Sequence, residues 1–241
     1  MGRLTGKCAV VTGAARGIGA AIVKKFLEED AEKVAILDLN QIDTSAADPT
    51  GKRAFSYACD ISSEESVNAV FAQIFEDFGH IDVLVNNAGI TRDAMFHKMT
   101  TEQWLKVINT NLNSAFFTCK AVIGRMREQS YGRIVNIASS SVRGNVGQCN
   151  YAAAKCGLEG LTRSLAKESG RKNVTVNCIA PGATNTDMYK TVPEEIVEAT
   201  KKSIPAGRLA EPSEIAAAVA FLASEDASYV SGQTLFVNAG K

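Results

Sequence analysis

The stretch from Lys7 to Gly19, KCAVVTGAARGIG, constrains this chain more than any other. Cys8 to Val11 is a short apolar run of the kind that forms a buried strand. Gly13, Gly17 and Gly19 follow in the spacing G-x-x-x-G-x-G, with Arg16 and Ile18 between them. Ala20 to Leu27 then puts Ile22, Val23, Phe26 and Leu27 on one face of a helix. Glycine permits positive φ and lets a ligand approach the main chain closely. The free N–H groups and partial positive charge of a helix start suit a pyrophosphate. Strand, glycine turn and helix in this order predict a dinucleotide site at Gly13, Arg16, Gly17, Ile18 and Gly19. A tight strand-to-helix connection without a ligand is the alternative reading of the same residues.

The rest of the chain keeps alternating strand and helix. Lys33 to Asp38, Arg53 to Cys59, Ile81 to Val85, Arg133 to Ala138, Thr175 to Ile179 and Thr234 to Val237 read as strands. One helix follows a Ser62-x-x-Glu65 capping box and runs to about Phe78. Another begins at Thr100, passes Asn111 and Phe116, and continues toward Met126. Further helices are expected over Asn150 to Ser169 and from Pro212 through Leu222. No linker, repeat or low-complexity tract interrupts them. The pattern predicts an α/β fold with a single doubly wound parallel sheet, Rossmann-like and of about seven strands, with helices on both faces. It has no candidate boundary, so residues 1–241 are expected to form one dinucleotide-binding and catalytic domain.

Lys+Arg and Asp+Glu each number 26, so no net charge draws nucleic acid or an anionic membrane. Met1 to Lys7 is too short and polar for a signal peptide, and Ile215 to Ala223 is far below a membrane span. A cytoplasmic protein is expected. The six cysteines include no C-x-x-C pair and read as reduced thiols. The two histidines, His80 and His97, have no nearby ligand partner in the sequence, so no metal site is expected.

Two further features carry chemistry. Asp38 ends the second strand nineteen residues after Gly19. An acid about twenty residues past such glycines binds ribose hydroxyls and repels a 2′-phosphate, which favours NAD. Arg16 keeps NADP as the second option. Tyr151 and Lys155 stand at i and i+4 and share a helix face. A nearby ammonium stabilises a phenolate and lowers its pKa, making Tyr151 a proton donor or acceptor near neutral pH.

Gly13-x-x-x-Gly17-x-Gly19, Asn86-Asn87-Ala88-Gly89, Asn111, a serine after the fifth strand, Tyr151-x-x-x-Lys155 and Pro181-Gly182 occur in one order. In order and spacing they resemble the short-chain dehydrogenase/reductase family over nearly the whole chain. The resemblance implies that Tyr151 is the general acid/base. Lys155 would tune it and hold the nicotinamide ribose, and Asn111 would hold a water linking Lys155 to solvent. Asp60 and Ile61 would meet the adenine, and Asn87, Ala88 and Gly89 would border the adenosine ribose. Pro181, Gly182, Thr184 and Thr186 would clamp the nicotinamide.

The family usually places its serine thirteen positions before the tyrosine, which here is Ala138. Ser139 is therefore the first choice for the residue that bonds the substrate oxygen, Ser140 the second and Ser141 the third. Gly144 to Tyr151 and Pro205 to Arg208 look most like 3-oxoacyl-acyl-carrier-protein reductases and acetoacetyl-CoA reductases. That likeness implies reduction of a 3-oxoacyl thioester, with acyl carrier protein as a partner. Arg127, Arg133 and Lys172 lie near the places where carrier-protein users carry basic residues. A dehydrogenase of another secondary alcohol, or a non-catalytic dinucleotide-binding scaffold, are the other readings. Thr184 to Arg208, with Pro193, Pro205 and a short helix over Glu194 to Lys201, is expected to be a substrate lid or a static surface excursion. The family is usually tetrameric, which would place Phe116, Phe117 and Leu161 at an interface.

Overall fold

The computed structural model describes residues 2–190 and 192–241. Seven parallel strands form one sheet in the order β3-β2-β1-β4-β5-β6-β7. They are β1 (Cys8–Thr12), β2 (Lys33–Asp38), β3 (Ala54–Ala58), β4 (Val83–Asn86), β5 (Gly132–Ile137), β6 (Val174–Pro181) and β7 (Thr234–Val237). The chain builds outward from β1 to β3, then returns to place β4 on the other side of β1. That reversal opens a crevice beyond the carboxyl ends of β1 and β4.

Both faces of the sheet are covered, which is why its inner strands read as continuous apolar runs. Successive residues of β1 serve opposite faces. Ala9 and Val11 pack with Ile22, Val23 and Phe26 of α1 (Gly17–Glu28) and with Ile215 and Val219 of α8 (Pro212–Leu222). Cys8 and Val10 pack with Val67, Phe71 and Ile74 of α2 (Glu64–Phe78) and with Cys119 and Val122 of α4 (Ser114–Glu128). A smaller cluster joins Leu158 of α5 (Cys149–Ser169) to Cys178 and Ala180. A buried polar chain ties these layers together. Thr118 donates to Asn86 at 2.6 Å, Asn86 to Asn136 at 2.9 Å, and Asn136 to Thr162 at 2.8 Å. It fixes α4 and α5 against β4 and β5.

Helix starts follow local chemistry. Thr100 caps α3 (Thr101–Ile108) in a capping box with Gln103, and Glu211 caps α8 with Glu214, with Pro212 in the first turn. The expected Ser62/Glu65 box does not form. Ser62 bonds to the Asp60 carboxylate through its amide and hydroxyl, so the cap moves to Ser63, which accepts from Ser66 N–H.

The helix expected to run from Thr100 past Asn111 is interrupted by a π-helical turn, Asn109–Asn113, between α3 and α4. Such a turn inserts an extra residue and re-aims a side chain.

The expected lid contains two helices, α6 (Asp187–Lys190) and α7 (Glu194–Ser203), while Thr191 within it lies outside the described residues. All six cysteines are free, with Cys149 and Cys156 exposed. Among the described residues no helix is long and apolar enough to cross a membrane.

Candidate active site

The glycine loop lies in the crevice between β1 and β4. Gly13 and Gly17 have φ of +61° and +58°. A Cβ on Gly13 would fall 2.7 Å from Ala88 Cα, and one on Gly19 would fall 2.3 Å from the Gly13 oxygen. These two positions are therefore glycine because the loop packs on the end of β4. Gly17 instead faces the Thr186 methyl, 3.6 Å from where its Cβ would stand. Arg16 gives no side-chain cap to α1, and the first turn carries no acid. The first N–H groups of α1 are thus left for an anion. This open helix start, reached over a turn without Cβ atoms, fits a dinucleotide pyrophosphate, with Ile18 in the first turn and packed on the core.

Thr12 belongs to none of the motifs in the sequence, yet it organises the loop. Its hydroxyl oxygen accepts the Asn87 and Ala88 amides, both at 3.1 Å. The Asn87 side chain donates to the Thr12 and Gly13 carbonyls at 3.0 and 2.9 Å. Asn87, expected beside a ribose, therefore spends its amide bracing the glycine turn. The sign of Thr12 in the sequence is a hydroxyl ending an apolar strand, a position where a polar group must find partners.

Asp38 sits at the carboxyl end of β2 beside the loop. One carboxylate oxygen accepts the Ala15 amide at 3.1 Å and the other the Leu39 amide at 2.9 Å. Asp60 is exposed, and its bonds to Ser62 hold its carboxyl below the usual range. Ile61, expected against the adenine, is packed into the core with Val67 and Phe71 and exposes only 8%.

Opposite the glycine loop, the π-helical turn directs Asn111 at the chain following β4. Its side chain accepts the Ile90 amide at 2.8 Å and donates to the Ile90 carbonyl at 2.9 Å. A Cβ on Gly89 would stand 3.4 Å from both Asn111 Oδ1 and Lys155 Nζ, so Gly89 lets these two approach. Lys155 is 2% exposed and donates to the Ile137 carbonyl at 2.7 Å. Burial lowers its pKa to about 8. Its Nζ stands 5.5 Å from the Tyr151 ring centre.

Burial raises the Tyr151 pKa, a hydrogen bond with the Ser139 side chain pulls it down, and Asp93 pushes it up. The sequence expectation of a lowered phenol pKa is thus reversed in the free protein. Loss of water disfavours the phenolate more than the neighbours stabilise it.

Of the three serines, Ser139 is the one that meets the phenol; its oxygen also accepts the Ser141 amide at 3.1 Å. Among the described residues the Ser140 hydroxyl is buried without a hydrogen-bond partner, and Ser141 donates to Gln148 at 3.2 Å. Gln148 donates in turn to Asp93 at 2.8 Å, and Ala94 N–H donates to the Gly147 carbonyl at 2.9 Å. These contacts clasp the loop after β4 to the loop after β5. Asn150 secures the start of α5, donating to the Arg92 carbonyl at 3.0 Å and accepting the Tyr151 amide at 2.8 Å.

Pro181 ends β6, and Gly182 donates to the Val237 carbonyl at 2.9 Å. The Thr184 hydroxyl donates to the Gly182 carbonyl at 3.0 Å, and Thr186 lies across from Gly17. The structure thus brings the glycine loop, the Pro181–Thr186 segment and the Tyr151–Lys155 helix face around one crevice. Asp60 and Ile61 stand at its rim and beneath it.

A family profile described as Enoyl-(Acyl carrier protein) reductase matches residues 13–241. The chain is 45% identical over 238 residues to the 3-oxoacyl-[acyl-carrier-protein] reductase FabG of Vibrio cholerae, covering 98% of each. It is 44% identical over 245 residues to the protein of the same name from Chlamydia trachomatis, covering 99% of this chain and 98% of that one. It is 46% identical over 237 residues to the acetoacetyl-CoA reductase of Shinella zoogloeoides, covering 98% of each. With this coverage, and with a parallel seven-stranded sheet carrying the glycine turn at its switch point, the chain belongs to the short-chain dehydrogenase/reductase family, oxidoreductases acting on CH–OH groups.

Proposed function

We propose that this protein reduces a 3-oxoacyl thioester to its 3-hydroxy form, using NADH. The observation that carries the reading is Tyr151 one helical turn from the buried Lys155 on α5, with Lys155 Nζ 5.5 Å from the Tyr151 ring centre. The names of the relatives, reductases of 3-oxoacyl carrier-protein and acetoacetyl-CoA thioesters, supply the substrate class.

A nicotinamide dinucleotide, when bound, supplies the hydride. Gly13, Arg16, Gly17, Ile18 and Gly19 would receive its pyrophosphate, and Asp38 would take the adenosine ribose hydroxyls. Asp60, Asn87, Ala88 and Gly89 line the adenosine side, and the buried Ile61 supports it from the core. Pro181, Gly182, Thr184 and Thr186 shape the nicotinamide side. Ser139 donates a hydrogen bond to the 3-oxo oxygen. Tyr151 passes its phenolic proton to that oxygen as the carbon is reduced, and a raised phenol pKa keeps that proton in place at neutral pH. Lys155, charged below about pH 8, stabilises the phenolate that remains. Asn111 orders the chain at Ile90 and joins Lys155 to solvent.

NADH rather than NADPH follows from Asp38. Its carboxylate is fixed by two amides, so a 2′-phosphate there would meet a like charge that cannot swing away. Residues 184–208 serve as the lid, within a single catalytic domain of residues 1–241. The protein works in the cytoplasm as a homotetramer. Half-exposed Phe116 on α4 and Leu235 on the edge strand β7 supply apolar contact surface. Lys172, exposed before β6, is available to an acidic carrier protein, whereas Arg127 is tied to the Glu168 carbonyl.

The test is NADH oxidation with acetoacetyl-CoA and with an acetoacetyl carrier protein. Turnover of either supports the reading, and the ratio of their kcat/KM values assigns the carrier. No turnover of either, with activity on a ketone lacking a thioester, would reject it.

A further inference from the structure

His80 finds partners that its sequence surroundings did not show. Its Nε2 lies 3.1 Å from the Asp82 carboxylate, and Cys8 Sγ completes a group whose donor atoms all lie within 4.8 Å of one another. The three sit at the amino-terminal ends of β1 and β4, the end of the sheet opposite the glycine loop. Cys8 and Asp82 are held rigidly. Cys8 N–H donates to the Asp82 carboxylate at 2.9 Å, and Asp82 N–H donates to the Cys8 carbonyl at 2.8 Å. His80 follows Gly79, the residue with φ of +82° that ends α2.

We propose that Cys8, His80 and Asp82 form a binding site for a borderline divalent cation, with Zn2+ the best fit. A thiolate, an imidazole nitrogen and a carboxylate oxygen are the donor set that zinc accepts and that magnesium and calcium do not. Zinc bonds of about 2.0–2.3 Å in a tetrahedron put donor atoms about 3.5 Å apart, so the group needs only a small closing movement. The cation takes the place of the His80–Asp82 contact, with His80 neutral and offering its Nε2 lone pair. The Cys8 proton leaves to solvent as the metal–sulfur bond forms.

Access comes from one side. The His80 side chain is 46% exposed while Asp82 is 9% exposed, so a water can fill the fourth position there. Of the charged groups that act on the thiol, Glu32 and Asp82 are anionic and Lys33 is cationic. An ion here would clamp the starts of the two strands that border the switch point, leaving Tyr151 untouched at the other end.

The test is titration of the full chain with Co2+ as a spectroscopic stand-in, followed by displacement with Zn2+. One equivalent is expected to give tetrahedral d–d bands and a thiolate charge-transfer band. Both should vanish in His80→Ala and in Cys8→Ala, and both should persist in the Cys149→Ser/Cys156→Ser double variant, which removes the exposed thiols. Zn2+ should raise the melting temperature of the wild type and leave that of His80→Ala unchanged. His80 is exposed, so its variant should fold even if Cys8→Ala does not. Absence of the thiolate band in the wild type, its survival in His80→Ala, or its loss in the double variant would overturn the proposal. None of these readouts depends on the reductase activity.

Discussion

Lys155 donates its ammonium to the main-chain carbonyl of Ile137 at 2.7 Å, inside a site that holds its pKa at about 8 instead of the ordinary 10.5. Below pH 8 the folded chain carries the full penalty of a buried charge. Between pH 8 and 10.5 the unfolded chain binds a proton that the folded chain does not, so this group makes stability rise with pH. Lys155→Met is therefore expected to be more stable than the wild type at pH 7, by about 1–3 kcal/mol after the lost hydrogen bond is counted. The difference should shrink as pH rises through 8 toward 10. Urea unfolding of both proteins across that range measures it, and an offset independent of pH would contradict the assigned shift.

Gly19 leaves no room for a side chain. An added methyl would stand 2.3 Å from the Gly13 oxygen and 2.6 Å from Asn87 Nδ2. Gly19→Ala must push α1 away from β4 and is expected to destabilise by about 2–4 kcal/mol. It should weaken dinucleotide binding at least tenfold. Denaturant unfolding with calorimetric titration of NADH checks both, and unchanged values would show that the loop is looser than described.

Asn111 satisfies both backbone groups of Ile90. Asn111→Ala leaves a partly buried donor and acceptor without their side-chain partner, an expected loss of about 1–3 kcal/mol. The Ile90 amide should lose hydrogen-exchange protection before the amides of β4 do. Retained protection at Ile90 would remove Asn111 as its anchor.

Much of this was legible in the sequence because local pattern dictates it. The apolar runs of β1 and β2 are buried on both faces, so they read plainly, and Thr100 carries its own cap. Other features depend on residues distant in the chain. The π-helical turn at Asn111 has no compositional mark, and the partner its side chain meets is the Ile90 backbone twenty-one positions away. The Asn86–Asn136–Thr162 chain shows only as amides within apolar runs, with no sign of which partner satisfies each. The direction of the Tyr151 shift is not legible in the sequence, because i, i+4 spacing reports a neighbour but not burial. Cys8 and His80 meet only because Cys8 and Asp82, 74 positions apart, begin adjacent strands.

The proposed preference for NADH rests on Asp38. The wild type is expected to show kcat/KM for NADH at least tenfold above that for NADPH. Asp38→Ala should lower the NADH value and raise the NADPH value, closing or reversing the ratio. A wild-type preference for NADPH would refute the role of this carboxylate.

The most direct measurement compares the wild type and Tyr151→Phe, following NADH absorbance with acetoacetyl-CoA as substrate. Removing the phenolic proton while keeping the ring predicts a fall in kcat of about 10²–10⁴-fold, with the dissociation constant for NADH unchanged. Turnover by Tyr151→Phe at the wild-type rate would contradict the account.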